Sequence, residues 1–321
     1  MKRLFASLFA VGVAAAALTG CSSGGDDRIT ITIAHQNDGI DELVKASGLF
    51  DDADYEIKWA AFEYGPPLVQ AVASGNVDVG TVGTVPPITA AADKLNFRVS
   101  AAGTLRDTAA SYHYILAPKG SPLKSTAELK GKKVAVPEGS SAHGFLLSAV
   151  ERAGLGPDDV EFVFLDPSKG QAAFTSGAVD AWAIWVPNAT VAITKHDAVI
   201  VEAGQDPYDF GESLWVTNTG SLEDPKRRAA VADTLRRIND TYAWGWEHQD
   251  VWAEAIAKKT GVPVDEAADL VVATATELIP VTPEIIAAEQ ELADNFYEVG
   301  AIREPVVFAD IVDNLIPEEQ Q

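Results

Sequence analysis

Cysteine is nearly missing from this chain. Of 321 residues, Cys21 alone carries a thiol, so no intramolecular disulfide can form. Basic residues are scarce too, with 24 Lys and Arg against 47 Asp and Glu and a formal net charge of −23. So acidic a chain is a poor partner for nucleic acid or an anionic membrane surface. Any anionic ligand must be held by local dipoles and hydrogen-bond donors, because the overall field repels it. The five histidines, His35, His113, His143, His196 and His248, show no metal-ligand spacing, so no metal site and no cofactor are expected. After the first 28 residues there is no low-complexity tract and no short internal repeat.

What is present is a globular composition. Hydrophobic residues make up 47% of the chain, and its length allows two domains with real cores. The apolar run from Leu4 to Leu18 follows Lys2 and Arg3. It is too short for a good membrane span and reads as a secretory leader over residues 1–20. Ser22-Ser23-Gly24-Gly25-Asp26-Asp27 then reads as part of a flexible tether over residues 21–28.

From residue 29 onward, strand and helix patterns alternate. Ile29–Ala34, Tyr55–Ala60, Val77–Val82 and Phe97–Ala102 read as strands with helical patterns between them, a βαβ series that implies a mainly parallel sheet. A second series has strands at His113–Ala117, Lys133–Val136, Glu161–Leu165, Asp180–Trp185 and Val199–Glu202. Leu214–Asn218 alternates again as a return path. From Pro225 the pattern turns helical, with Val231, Leu235, Ile238 and Tyr242 on one face of a long helix. Two α/β lobes joined by crossovers near residues 110–116 and 212–218 account for this order.

The stretch Val134–Leu147 carries the clearest chemistry. A short strand runs through Pro137-Glu138-Gly139 to Ser140, Ser141 and a helix start. The first N–H groups of a helix lack intrahelical partners and carry the positive end of its dipole, which makes an anion site. The plainer reading of Ser140 or Ser141 is a helix N-cap. Similar corners recur at the carboxyl ends of other strands, where open parallel sheets bind ligands. Trp182 and Trp185, three apart around a strand end, cannot share a face of a regular strand. Trp185 is therefore expected as a pocket wall and Trp182 in the core; both in the core is the alternative.

The order and spacing of several segments resemble a known family. They are Gln36 after the first strand, Phe62-Glu63-Tyr64-Gly65-Pro66-Pro67, Ala73-Ser74-Gly75-Asn76-Val77-Asp78-Val79-Gly80 and Gly83-Thr84-Val85-Pro86-Pro87. Leu129–Val136 running into Gly139-Ser140-Ser141-Ala142-His143, then Gly177–Trp185, continue the series, with weaker support from Thr282-Pro283-Glu284 and Phe296-Tyr297. Together they resemble the solute-binding proteins of ABC importers for alkanesulfonates and taurine, within the nitrate/sulfonate/bicarbonate-binding group. Leu18-Thr19-Gly20-Cys21 resembles a bacterial lipobox, which implies lipidation of Cys21 and an extracytoplasmic protein anchored to the cell membrane. A plain signal peptide with an incidental cysteine is the alternative.

The resemblance implies an α/β periplasmic-binding-protein clamshell: two lobes, two crossover strands and a helical C-terminal part packed on the first lobe. Lobe 1 is expected over residues 29–114 plus 215–321, and lobe 2 over 115–214. It further implies a monomer that passes a small anionic organic solute to an ABC permease. By position, Gln36, Gly83, Thr84, Ser140, Ser141, His143 and Trp185 would line the pocket. Many alkanesulfonate binders carry Asp in place of Thr84 and of Val186, whereas taurine-type members more often have a small hydroxyl residue and an apolar one. The chain sits between the subtypes, which leaves the ligand's tail open. A pyrimidine or other aromatic solute, nitrate and bicarbonate are the other ligands to weigh.

Enzymes share this fold. The desulfinase type needs a cleft cysteine, and the pyrimidine-synthase type a lysine with pyridoxal phosphate. Only Lys169 lies near a strand-end corner, so a binding protein is expected. Arg106, near the first crossover, reads as a surface ion pair or, alternatively, a cation that reaches the cleft.

Overall fold

The computed structural model describes residues 28–36, 39–106, 111–204 and 213–317. The expected leader, Cys21 and all of the tether but Arg28 lie outside the described residues. Strand β1 (Thr30–His35) is followed by α1 (Ile40–Ser47), β2 (Glu56–Ala61), α2 (Gly65–Ala73), β3 (Val79–Gly83), α3 (Val85–Ala92) and β4 (Phe97–Leu105). The next series is β5 (His113–Ala117), β6 (Lys133–Val136), α4 (Ser141–Arg152), β7 (Glu161–Phe164), α5 (Pro167–Thr175), β8 (Ala181–Trp185), α6 (Asn188–His196) and β9 (Val199–Ala203). The chain then returns through β10 (Ser213–Asn218) and α7 (Thr219–Glu223) to α8 (Pro225–Glu247), α9 (Gln249–Thr260) and α10 (Val264–Thr274). It ends with β11 (Thr276–Ile279) and α11 (Pro283–Glu298).

Two sheets result. The first has the order β11-β4-β10-β3-β1-β2 and the second β7-β6-β8-β5-β9. The chain changes sheets between β4 and β5 and again between β9 and β10, which gives the two-lobe clamshell. The expected mainly parallel arrangement holds for β1 to β4 and for β6 to β9, each set running in one direction, and three strands depart from it. β10 enters antiparallel between β3 and β4, β11 adds antiparallel to β4, and β5 runs antiparallel to both β8 and β9. For β5 and β10 the reason is topological: a strand that has just crossed from the other lobe enters from the opposite end. The four-residue β11 fell unnoticed between two helical patterns, because so short a strand shows hardly one period of alternation.

Both lobes use one device to start a strand. Asp78, just before β3, accepts the backbone N–H of Thr32 at 2.8 Å, and Asp180, just before β8, accepts that of Lys133 at 2.8 Å. Each Asp follows a glycine in the left-handed region, Gly75 at φ 77° and Gly177 at φ 73°, a backbone shape that costs glycine little. Asp78 also accepts from Ser221 Oγ at 2.6 Å and Arg227 Nη1 at 2.8 Å, which ties the C-terminal helices to the first sheet. Those helices pack on it, with α8 against β11 and β1 and α1 against α8 and α9. Asp224 caps α8 by accepting from the backbone N–H of Lys226 at 2.8 Å and of Arg227 at 3.1 Å.

Candidate functional site

The carboxyl ends of β1, β3 and β8 face one partly open cavity of about 100 Å³ between the sheets. Gln36 follows β1, Thr81, Val82 and Gly83 close β3, and Trp185, Val186 and Pro187 end β8. Leu105, Tyr112 and Ser213 line it from the ends of the two sheet-changing connections. The remaining wall comes from the C-terminal helices, with Tyr242, Trp252, Ile256 and Leu270. A larger hollow of about 520 Å³ is bounded by α4, the turn after it and α11, and has no strand-end residue in its lining.

No Asp, Glu, Lys, Arg or His belongs to the cavity lining among the described residues. An anion there meets dipoles and neutral donors. Gln36 supplies an amide whose Nε2 donates to the Thr81 carbonyl at 3.2 Å, which fixes the side chain and leaves its second N–H for another acceptor. The helix that starts after β3 is a weaker donor site than its position suggests. α3 opens with Val85-Pro86-Pro87, so two first-turn N–H groups do not exist. α4 has no proline in its first turn.

The seven residues expected at the pocket separate in the structure. Gln36, Gly83 and Trp185 line the cavity; Thr84, Ser140, Ser141 and His143 are not part of its lining. Thr84 is 1% exposed, and its hydroxyl has no hydrogen-bond partner among the described residues. Ser140 caps α4, accepting from the His143 N–H at 3.3 Å while its hydroxyl donates to the Pro137 carbonyl at 2.6 Å. Ser141 Oγ is hydrogen-bonded to His113 Nε2 at 2.8 Å. A Cβ added to Gly83 would lie 2.9 Å from both Cβ and Oγ of Ser141, so these two corners already touch across the lobes.

His143 departs furthest from expectation. Gly139 donates its backbone N–H to Nδ1 at 3.3 Å, and the ring is surrounded by Phe162, Phe164 and Phe296 at centroid distances of 5.8, 5.2 and 5.9 Å. Burial pushes its pKa down to about 4, so the ring is neutral near pH 7. The side chain at the third position of α4 turns to the aromatic packing between α4, β7 and α11 rather than to the strand ends. Trp182 is 0% exposed and packs on Phe174 and Gly170, opposite in role to Trp185.

The lobes meet on several sides of the cavity. Tyr64 Oη donates to Asp166 Oδ1 at 3.1 Å, Ser168 Oγ to Glu63 Oε2 at 3.0 Å, and Lys195 Nζ to the Gly261 carbonyl at 2.8 Å. Burial and the Asp166 carboxylate push the Tyr64 phenol up to about 12. Lys169 pairs with Asp166 at 2.6 Å and is exposed. Arg106 makes an ion pair with Glu277 at 3.6 Å and lies 5.9 Å from the Trp246 ring. No group of three His, Cys, Asp or Glu among the described residues is arranged to hold a metal ion.

Sequence reasoning missed Tyr112, Ser213, Tyr242 and Trp252 as lining residues. Tyr242 repeats with the apolar face of its helix and reads as core; only the fold shows that this face borders a hollow. Tyr112 and Ser213 flank the sheet-changing connections, a position that a topological argument could have used.

Comparison with known proteins places this architecture. The putative aliphatic sulfonates-binding protein of Escherichia coli (strain K12) is 33% identical over 244 residues, covering 76% of this chain and 75% of its own length. That of Bacillus subtilis (strain 168) is 30% identical over 309 residues, covering 92% and 91%. The structure of the alkanesulfonate-binding protein SsuA from Xanthomonas axonopodis pv. citri, bound to MOPS, superposes with a TM-score of 0.81 at 26% identity. It covers 89% of this chain and 98% of that one. The profile described as NMT1/THI5 like matches residues 43–251, a span that runs from α1 through both sheet changes into α9. With the fold, the strand-end cavity and these relatives in agreement, the chain belongs to the NMT1/THI5-like family.

Proposed function

We propose that this protein is an extracytoplasmic solute-binding protein that captures an organosulfonate between its lobes and delivers it to an ABC permease. The observation that carries this reading is the cavity itself, which lies between two sheets at strand carboxyl ends, is lined without charge among the described residues and is walled in part by aromatic rings. A sulfonate spreads one negative charge over three acceptor oxygens, which suits amide, hydroxyl and helix-terminal donors. The names of the two sulfonates-binding relatives support the same class.

In this reading Gln36, Gly83 and Trp185 meet the solute in the closed form. The Thr84 hydroxyl, which has no partner among the described residues, and the N-terminus of α4, with Ser140 and Ser141, face it as the lobes part and close. Closure is then a population shift driven by contacts to both lobes. The lobe boundaries at 29–114 plus 215–321 and at 115–214, a lipid anchor on Cys21 and a monomeric state belong to the same proposal. The names of the sulfonates-binding relatives support a binding protein over an enzyme.

The ring of Trp185, Tyr112, Tyr242 and Trp252 gives weight to one second reading, an aromatic solute such as a pyrimidine. Calorimetric titration of the chain from Arg28 onward with alkanesulfonates, taurine, nitrate, bicarbonate and a pyrimidine decides between them. Saturable binding of a sulfonate supports the proposal, and saturation by the pyrimidine alone replaces it.

A further inference from the structure

The lobes meet along a seam that runs outward from the cavity. Beyond the contact of Gly83 with Ser141, a Cβ on Gly139 would lie 3.5 Å from Pro66 Cγ, so the turn before α4 rests on the first turn of α2. The seam ends in a polar cluster, where Tyr64 Oη donates to Asp166 Oδ1 at 3.1 Å and Ser168 Oγ to Glu63 Oε2 at 3.0 Å. Glu63, Tyr64, Asp166 and Ser168 are not part of the cavity lining.

Topology places this cluster at the corner furthest from the sheet-changing strands. Glu63 and Tyr64 follow β2, an outer strand of the first sheet, and Asp166 and Ser168 follow β7, an outer strand of the second. Strands β3 and β1 stand between β10 and β2, as β8 and β6 stand between β5 and β7. Three strand spacings amount to about 14 Å. A rotation of the lobes about the sheet-changing strands therefore parts this corner by more than it parts the strand ends at the cavity.

Both partners stand where helices begin, and neither serves its own helix. Tyr64 and Asp166 are the N-cap residues of α2 and α5, and neither side chain makes a cap hydrogen bond. An N-cap Asp ordinarily turns an oxygen to the first N–H groups of its own helix. Asp166 instead accepts from Tyr64 on one oxygen and from Lys169 Nζ, at 2.6 Å, on the other. Lys169 and the Tyr64 hydroxyl hold its carboxyl below the usual carboxylate range. The phenol thus donates to an ionised acceptor, and the bond is charge-assisted.

Resting on lobe closure as proposed above, but not on the identity of the solute, we propose that Tyr64 and Asp166 form a latch at the mouth of the cleft. They are positioning residues, which hold the lobes together over a bound solute without touching it and so set its residence time. A contact made only in the closed form slows release. Because the pair lies outside the lining, it slows the release of every solute alike.

The test is stopped-flow dissociation and calorimetry on Tyr64→Phe, Asp166→Ala and the double variant, with each solute that saturates the unaltered protein. Each single variant should speed dissociation about three- to tenfold, by one common factor for all solutes. The double variant should be no faster than the faster single, since both remove the same bond. With no cap bond lost, the urea midpoint of the solute-free protein should stay near that of the parent. Parental dissociation rates in both singles, or a factor that changes from solute to solute, overturn the latch. Faster dissociation together with a lowered midpoint marks the pair as structural and overturns it too. If no sulfonate binds and another solute does, the organosulfonate reading fails, and the same comparison made with that solute still decides the latch.

Discussion

Ser141 Oγ and His113 Nε2 are 2.8 Å apart in a buried setting, joining the first residue of α4 to the first residue of β5. His113 is 0% exposed and stacks on Phe145 at 5.7 Å and 25°. The residue that leaves the first sheet-changing connection thus holds the helix corner that touches Gly83. Ser141→Ala removes the partner and should cost about 1–3 kcal/mol of stability, because a buried polar group is left short of a hydrogen bond. Urea denaturation measures this, and ligand affinity should fall in the same variant.

Gly83→Ala tests whether contact of the corners limits closure. The added Cβ would sit 2.9 Å from Ser141 Cβ and Oγ, closer than real Cβ atoms approach. The lobes should stay further apart, giving a larger radius of gyration by X-ray scattering with saturating solute and affinity reduced at least tenfold. Gly144→Ala, whose Cβ would lie 2.8 Å from Val85 Cγ2, should act the same way from one turn further along the same face of α4.

Trp185→Leu retains apolar character but loses the flat ring. Trp185 is 5% exposed and lines the cavity, so binding should weaken by about 1–2 kcal/mol through lost aromatic area. Calorimetry with the tightest sulfonate reads it directly. The companion Trp182→Leu should destabilise the fold and leave the affinity of the folded fraction near that of the parent, since that ring packs on Phe174 and Gly170.

His143 gives the protein a pH dependence of known sign. Burial lowers its pKa from 6.5 to about 4, so the unfolded chain binds a proton that the folded chain refuses. Stability therefore holds above about pH 6.5 and declines as pH falls toward 4, by about 3 kcal/mol in order of magnitude. The ring's aromatic neighbours on β7 and α11 supply no counter-charge. His143→Leu should remove this decline, measured as the difference between denaturation midpoints of the two proteins across that window.

The sequence disclosed the architecture through patterns that repeat. Alternating strands, helix faces and the Gly-Asn-Val-Asp and Gly-Ala-Val-Asp turns at Asp78 and Asp180 each mark a strand start with a local cause. The cavity was half legible. Gln36, Gly83 and Trp185 sit at strand ends, where chain order places them. Tyr242, Trp252, Ile256 and Leu270 come from helices far along the chain, and their apolar spacing is the same whether a helix face meets a core or a hollow. His143 lies outside the cavity lining because proximity to a helix N-terminus does not fix where a side chain turns. The phenylalanines at 162, 164 and 296 gave it a better place.

The central claim is capture of an organosulfonate in the cavity between the lobes. Isothermal titration with butanesulfonate at several temperatures tests it most directly. The account predicts one site per chain, saturation, and a negative heat-capacity change from apolar burial. Absence of binding by butanesulfonate and its homologues, alongside saturable binding of nitrate, bicarbonate or a pyrimidine, would contradict it.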